Sequence, residues 1–198
     1  MESTHHKNTS NRERLDVENT ILSIQQGDIE QYRVIIEQYQ KQLYVYCYYL
    51  LKQTEDAQDA VQDIFVKAYQ HIDNYKQTVS FSAWIYKIAY NHCMNLNKKR
   101  YRDVQLLQVF KNTYQSIVFP KKSTTEEGLE SLISHLTFNE RHLLLLRAVE
   151  DYSFEEIGHV MNITPATARK KYERIRKKLV QKNVEGGYLH DQSLKTTR

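Results

Sequence analysis

The sequence SFEEIGHVMNITPATARKKYERIRKKL (Ser153–Leu179) carries the clearest structural signal in the chain. Ser153 and Glu156 have the spacing of a capping box, in which each side chain satisfies a backbone amide left unpaired at a helix start. Asn162 comes soon afterwards, and asparagine tolerates the left-handed backbone that a sharp turn requires. The spacing therefore predicts a short helix from Phe154 that ends in a tight turn.

A second helix is expected about three residues after the turn, with Thr164 as its N-cap and Pro165 at its first position. Its apolar residues recur at spacings of four, three and four, which places them on one face: Ala168, Tyr172, Ile175 and Leu179. The opposite face holds Thr167, Lys170, Arg174, Lys177 and Lys178. A short helix, a tight turn and a helix with a basic outer face are typical of a helix-turn-helix that reads the major groove of DNA.

The charge of this helix supports DNA as its partner. Residues 169–182 include eight basic side chains and a single acidic one, Glu173. The alternative is an ordinary helical hairpin whose lysines face solvent, but a solvated surface normally mixes both signs. Repulsion among so many cations is relieved by an anionic partner, which favours DNA binding.

The composition of the 198-residue chain predicts an all-α fold, because only 5 residues are Gly and 2 are Pro. The net charge of +4 is small and unevenly distributed. Cys47 and Cys93 show no metal-like or paired spacing, which indicates buried thiols in a reducing cytoplasm. No apolar run approaches ~18 residues and the N-terminus is polar, so we expect a cytoplasmic protein without membrane insertion.

An acidic helix is predicted to begin at a Thr54 cap, after helices at Leu15–Gln26 and Ile29–Lys52. The tyrosines of the longer helix are assigned to packing. Residues 54–66 contain four acidic side chains and no basic one. This face is either simply solvated or a docking surface for a basic protein partner.

An aromatic and basic helix is predicted from Phe81 to about Arg102, capped by Ser80 and preceded by the polar loop Asn74–Val79. Its outer face holds Lys87, Tyr90, Asn91, Met94 and Lys98, with Trp84 and Tyr86 on the flanks. Aromatic rings stack on unpaired bases while cations hold phosphates, so this helix suits single-stranded nucleic acid. Trp84 taken alone fits a core position equally well.

The chain is thus predicted to form two small helical domains joined by a linker. The predicted boundaries are a disordered tail at 1–14, an N-terminal domain at 15–102, a linker at 103–128, a helix-turn-helix domain at 129–182 and a tail at 183–198. Thr137 and Glu140 form a second capping box, which opens a leucine-rich helix to about Glu150. The sequence shows no convergent acid pair, glycine-rich loop or metal-ligand spacing, so we expect no catalytic residue, cofactor or metal.

Three segments carry a resemblance to a known family: DAQDAVQDIFVKAY (Asp56–Tyr69), FSAWIYKIAYNHCMN (Phe81–Asn95) and the residues from Leu136 to Leu179. Over roughly residues 15–182 the chain resembles bacterial sigma factors of the sigma-70 family, in their extracytoplasmic-function (ECF) group. The resemblance implies a non-enzymatic protein that directs core RNA polymerase to promoters, while polymerase performs the phosphodiester chemistry.

The resemblance also implies functional surfaces. The surface that docks on the polymerase beta-prime clamp helices would comprise Asp56, Asp59, Gln62 and Asp63. The surface that melts the minus-ten element would comprise Trp84, Tyr86, Lys87, Tyr90, Asn91 and Lys98, beside the loop Asn74–Ser80. The surface that binds the minus-thirty-five element would comprise Thr164, Ala166, Thr167, Arg169, Lys170, Lys171, Arg174, Lys177 and Lys178, of which the first six would lie nearest the DNA. The polymerase beta flap, promoter DNA and an anti-sigma factor are the other implied partners.

Four positions depart from the family pattern. Asn162 replaces the usual glycine of the turn, and Asn95 replaces a frequent aspartate. Gly158 stands where alanine is common, which would weaken the helix by ~1 kcal/mol if the position is exposed. Glu173 would repel phosphate unless it pairs with Arg169 or Lys177.

Two other classes of protein remain as alternatives. A dimeric helix-turn-helix regulator that binds duplex DNA unaided explains the C-terminal domain but gives the acidic and aromatic helices no role. A scaffold that binds only proteins would be insensitive to alanine at Arg174 and Lys177 in DNA-binding assays.

Overall fold

The computed structural model describes residues 16–111, 133 and 135–192, and the side chains of residues 16–105, 133 and 135–181. The chain divides into two compact units, Met1–Gln115 and Ser116–Arg198. The regular elements of the described ranges are all helices, which confirms the all-α class. The predicted tail at 1–14 and residues 112–128 of the predicted linker lie outside the described residues.

The described part of the first unit, residues 16–111, contains four α-helices. Helix α1 spans residues 16–25 and is followed by Gly27, whose φ of 105° is favourable only for glycine. Two 3₁₀ turns, Ile29–Gln31 and Ile72–Asn74, flank the next helical pair. The remaining helices are α2 (Tyr32–Leu51), α3 (Thr54–Gln70) and α4 (Phe81–Lys111).

Helices α2, α3 and α4 pack against one another around a shared core. The buried face of α3 is dominated by small residues: Ala57, Ala60 and Ala68, with Ile64 among them. These short side chains allow α3 to lie close to the bulkier faces of α2 and α4. Cys47 and Cys93 are free and buried in this core, as predicted, and their sulfur atoms lie 3.7 Å apart.

Helix α1 fixes the segment that precedes α4. The carboxylate of buried Glu18 lies 2.8 Å from the Tyr75 hydroxyl and accepts a hydrogen bond of 3.1 Å from the Phe81 backbone N–H. The Gln25 amide donates to the Ile72 carbonyl over 2.7 Å. The loop before α4 is therefore anchored at both ends.

Two boundaries in the first unit differ from the prediction. Thr54 is the first residue of α3 and not its cap, since Gln53 occupies the N-cap position and makes no side-chain capping bond. The predicted end of the aromatic and basic helix at about Arg102 is also wrong, because α4 continues to Lys111. Residues 103–111 contain neither glycine nor proline, so nothing local ends the helix there.

The second unit consists of α5 (Phe138–Ala148), α6 (Phe154–Met161) and α7 (Pro165–Gln192) in its described part. Its core is formed by the buried residues Leu143, Leu146, Ile157, Val160, Ala168 and Ile175. The expected end of α7 near Lys182 is wrong, because the helix runs on through two glycines to Gln192. Glycine weakens a helix interior by about 1 kcal/mol each but does not terminate it as proline does. Residues 193–198 lie outside the described residues.

Candidate nucleic-acid interface and acidic docking surface

Reciprocal caps build the helix-turn-helix of the second unit, and the structure confirms both predicted boxes. The Glu156 N–H donates to Ser153 Oγ over 3.2 Å, and the Ser153 N–H donates to the Glu156 carboxylate over 2.9 Å. Thr137 and Glu140 form the same pair of bonds at the start of α5. Four backbone donors are thereby satisfied locally, which fixes where each helix begins.

The turn between α6 and α7 has the predicted left-handed residue. Asn162 has φ 54° and ψ 48°, and the Ile163 N–H donates to the Gly158 carbonyl over 3.0 Å. Thr164 then caps α7 through a 3.2 Å bond from the Thr167 N–H, as predicted. Gly158 is buried, so the condition under which we expected it to weaken the helix does not hold.

The turn instead requires a residue without a side chain at position 158. A Cβ atom at this position would lie 2.7 Å from the Ile163 carbonyl oxygen. Real Cβ atoms essentially never approach an atom so closely, and here the neighbour is backbone. Glycine therefore permits the close approach of the turn to α6.

The outer face of α7 presents the predicted DNA-reading residues. All nine are exposed, comprising Thr164, Ala166, Thr167, Arg169, Lys170, Lys171, Arg174, Lys177 and Lys178. Lys178 differs from the others because it donates to Glu140 over 2.5 Å and so joins α7 to the cap of α5. Burial alone would raise the pKa of Glu140, but hydrogen bonds from Lys178 and Thr137 outweigh it and lower that pKa.

The position of Glu173 corrects another expectation. Its carboxylate lies 3.6 Å from Arg176, one turn along the helix, and the expected partners Arg169 and Lys177 do not form this pair. An i,i+3 neighbour is as accessible as an i,i+4 neighbour on a helix surface. The negative charge of Glu173 is thus offset within α7.

The aromatic side chain of Phe154, which the sequence pattern did not indicate as functional, lies at the start of α6. The guanidinium carbons of Arg147 and Arg169 each lie 5.3 Å from the centre of its ring. The Tyr172 ring meets the same ring edge-on, with centroids 5.9 Å apart. The sequence signal that could have identified it is a phenylalanine directly after the Ser153 cap, outside the buried stripe of α6.

Helix α4 presents part of the predicted strand-facing surface. Asn91 and Lys98 are exposed, while Trp84, Lys87 and Tyr90 are half-buried. The prediction for Tyr86 is wrong, since only 1% of this residue is exposed. Its ring packs edge-on against Tyr46 of α2, with centroids 5.0 Å apart, because α2 covers this side of α4.

The Trp84 ring belongs to an aromatic cluster that continues into the preceding loop. Its centroid lies 5.4 Å from those of Tyr75 and Phe81, and these two rings are also 5.4 Å apart. Ser80 caps α4 as predicted, through a 3.2 Å bond from the Ala83 N–H. The half-exposed indole is therefore held by the loop anchored on Glu18.

The acidic face of α3 contains a well-exposed part and a part that is paired with α4. Asp59 and Gln62 are exposed, and the Asp63 side chain is 62% exposed. Asp56 forms an ion pair with Arg100 of α4, and its side chain is only 38% exposed. Arg100 also donates to the Leu51 carbonyl over 2.9 Å and to Gln53 over 3.0 Å, so it fastens the α2–α3 connection to α4.

His92 of α4 lies beneath this face, between Lys67 and Asp63 of α3. Its Nδ1 atom contacts the Lys67 ammonium, and its Nε2 atom is 3.6 Å from Asp63. Burial and, to a lesser degree, the Lys67 charge lower the pKa of His92, although Asp63 opposes them. At neutral pH the imidazole is therefore neutral and does not offset the negative charge of the acidic face.

The described residues include no group of three or more His, Cys, Asp or Glu side chains arranged to hold a metal ion. Within the same residues, no helix has both the length and the apolar character needed to cross a bilayer.

Comparison with known families identifies both units. Residues 35–103 match the model of Sigma-70 region 2, and residues 126–179 match the model of Sigma-70 region 4. Sequence relatives include the ECF RNA polymerase sigma factor SigW of Bacillus subtilis, which is 26% identical over 82% of this chain and 94% of its own length. The ECF RNA polymerase sigma-E factor of Haemophilus influenzae is also 26% identical, over 86% of this chain and 96% of its own length.

Solved structures share the fold. The sigma factor RpoE of Bartonella quintana, solved with the anti-sigma factor NepR, has a TM-score of 0.63 at 19% identity, over 85% of this chain and 99% of its own. CnrH, solved with the cytosolic domain of CnrY, has a TM-score of 0.62 at 20% identity, over 82% of this chain and 93% of its own. The two family matches and the curated relatives lead to one conclusion: the chain belongs to the ECF group of the sigma-70 family, the sigma factors that bind RNA polymerase and act in promoter-specific initiation of transcription.

Proposed function

We propose that the second unit reads the minus-thirty-five element of promoters and that the first unit docks on core RNA polymerase and melts the minus-ten element. The observation that carries this proposal is the exposed basic face of α7 on a helix-turn-helix with complete caps. A helix of this kind enters the major groove with its N-terminal residues against the bases. Thr164, Ala166 and Thr167 occupy those positions, while the basic side chains that follow contact phosphates.

The acidic face of α3 is the proposed contact with the beta-prime clamp helices. Asp59, Gln62 and Asp63 provide its accessible part, and a basic partner complements their charge. Asp56 contributes less directly, because Arg100 already neutralises it. The beta flap is the corresponding proposed contact of the second unit.

The proposed melting surface lies on α4 and the loop before it. Trp84 and Tyr90 offer half-exposed rings for stacking on unpaired bases, and Lys87, Asn91 and Lys98 surround them with donors. Tyr86 is not part of this surface because it is buried. Strand separation by such a surface needs no catalytic group. In this proposal, phosphodiester bond formation is performed by polymerase.

An anti-sigma factor is the further proposed partner. The two solved relatives are described in complexes with NepR and with the cytosolic domain of CnrY. Extending such a partner to this chain rests on the shared fold.

The test is transcription in vitro from fragmented genomic DNA with bacterial core polymerase, with and without the chain. Discrete start sites that depend on the chain would support the proposal and reveal its promoters. Absence of new starts, together with tight duplex binding by the chain alone, would favour a conventional regulator.

A variant with Asp59→Lys and Asp63→Lys tests the docking surface. We expect its affinity for core polymerase to fall roughly tenfold or more, since like charges would face each other. The matched control, Glu30→Lys with Asp73→Lys, makes the same charge change at exposed positions of the same unit. Equal affinity of the two variants would contradict the docking proposal.

A further inference from the structure

Phe154 connects the first helix of the helix-turn-helix to a cation of the second. Arg169 lies over its ring at 5.3 Å, a distance at which a guanidinium is attracted to an aromatic face. We propose that Phe154 is a positioning residue that holds the Arg169 guanidinium ready to bind a phosphate of duplex DNA. This inference rests on the proposed reading of promoter DNA by α7.

The ring itself is held from several sides. Arg147 lies over it at 5.3 Å and is fixed in turn by a 2.7 Å bond to the Tyr152 carbonyl and by Asp151, 3.5 Å away. Tyr172 meets it edge-on from α7. A ring held in this way can fix the direction of a long side chain that would otherwise sample many rotamers.

The charge of Arg169 is available to an external anion. Three other cations in the described part of the second unit already form ion pairs: Arg147 with Asp151, Arg176 with Glu173 and Lys178 with Glu140. No ion pair of the described part of the chain includes Arg169. A cation–π contact uses the positive charge of the guanidinium without consuming an N–H donor, so the donors remain for a bidentate phosphate contact.

Preorganisation explains why the ring matters for affinity. Ordering a free arginine on binding costs conformational entropy, and a side chain that is already ordered avoids most of that cost. An exposed cation–π contact corresponds to roughly a two- to fivefold change in affinity. The ring should therefore affect binding only through Arg169.

The experiment measures binding of the reconstituted holoenzyme to a promoter fragment recovered in the transcription assay. Variants are Phe154→Leu, which keeps apolar bulk without the ring, Phe154→Tyr, which keeps the ring, Arg169→Ala, and Phe154→Leu combined with Arg169→Ala. Arg33→Ala is the control, an exposed arginine of the first unit that pairs with Glu37. Urea unfolding of each free chain establishes that the variants are folded.

We expect Phe154→Leu to weaken promoter binding two- to fivefold and Phe154→Tyr to bind as tightly as the parent chain. In the Arg169→Ala background, Phe154→Leu should cause no further loss of affinity. Arg169→Ala should also reduce the dependence of log affinity on log salt by about one. If Arg169→Ala weakens binding and Phe154→Leu does not, or if the two losses simply add, the positioning role is refuted. If neither Arg169→Ala nor alanine at Lys170 and Lys171 changes binding, the proposed DNA-reading face itself is refuted.

Discussion

Replacing Gly158 with alanine should destabilise the second unit, although alanine is the better helix former. Gly158 lies within α6, so propensity alone predicts a gain of ~1 kcal/mol. The added Cβ would lie 2.7 Å from the Ile163 carbonyl oxygen, whereas ordinary contact begins at 3.4 Å. The turn after α6 must therefore move, and Ile163 is the residue whose N–H closes that turn on Gly158.

The expected net effect follows from these opposing terms. Inserting an atom into a closely packed site costs typically ~1–3 kcal/mol, and strain against backbone falls in the upper part of that range. Subtracting the propensity gain leaves a destabilisation of about 1–2 kcal/mol. For a unit of this size, such a loss corresponds to a fall of roughly 5–15 °C in melting temperature.

The assay is urea and thermal unfolding of the full chain followed by far-ultraviolet circular dichroism. Trp84 is the single tryptophan and lies in the first unit, so its fluorescence provides a reference transition for that unit. Asn162→Gly is the matched control, because glycine occupies a left-handed position at least as well as asparagine and should not destabilise. A Gly158→Ala chain as stable as the parent or more stable would refute the steric argument.

Three further predictions follow from individual contacts. Ser153→Ala should lower the free energy of unfolding of the second unit by about 1 kcal/mol, because the Glu156 N–H loses its cap; an unchanged urea midpoint would contradict it. Burial holds the pKa of His142 well below its usual value, so the unfolded chain binds the proton more readily than the folded chain. The free energy of unfolding should therefore be at its full value above about pH 6.5 and should decline as pH falls below it, by at most ~1.4 kcal/mol per pH unit. His142→Leu should flatten that pH profile. Tyr86→Ala should lower the free energy of unfolding of the first unit by roughly 3–5 kcal/mol, because the Tyr86 ring no longer packs on Tyr46. A Tyr86→Ala variant that is stable and defective only in promoter melting would instead place Tyr86 on the strand-facing surface.

Local features of this protein could be predicted from its sequence. Both capping boxes, the left-handed Asn162 and the Thr164 cap depend on residues three or four positions apart, and the structure confirms each of them. The basic outer face of α7 follows from the helical period, which also places Ala168 and Ile175 inside. These short-range contacts do not depend on how one helix packs against another.

Only the tertiary structure decided which faces remain accessible. Tyr86 and Tyr90 are one turn apart on α4, so the helical period cannot tell which of them α2 covers. The neutralisation of Asp56 by Arg100 and the cation–π contact of Arg169 with Phe154 likewise join residues of different helices. The close approach at Gly158 depends on the exact path of the turn. These properties depend on how helices pack in three dimensions, because burial and charge pairing are set by neighbours that are distant in sequence.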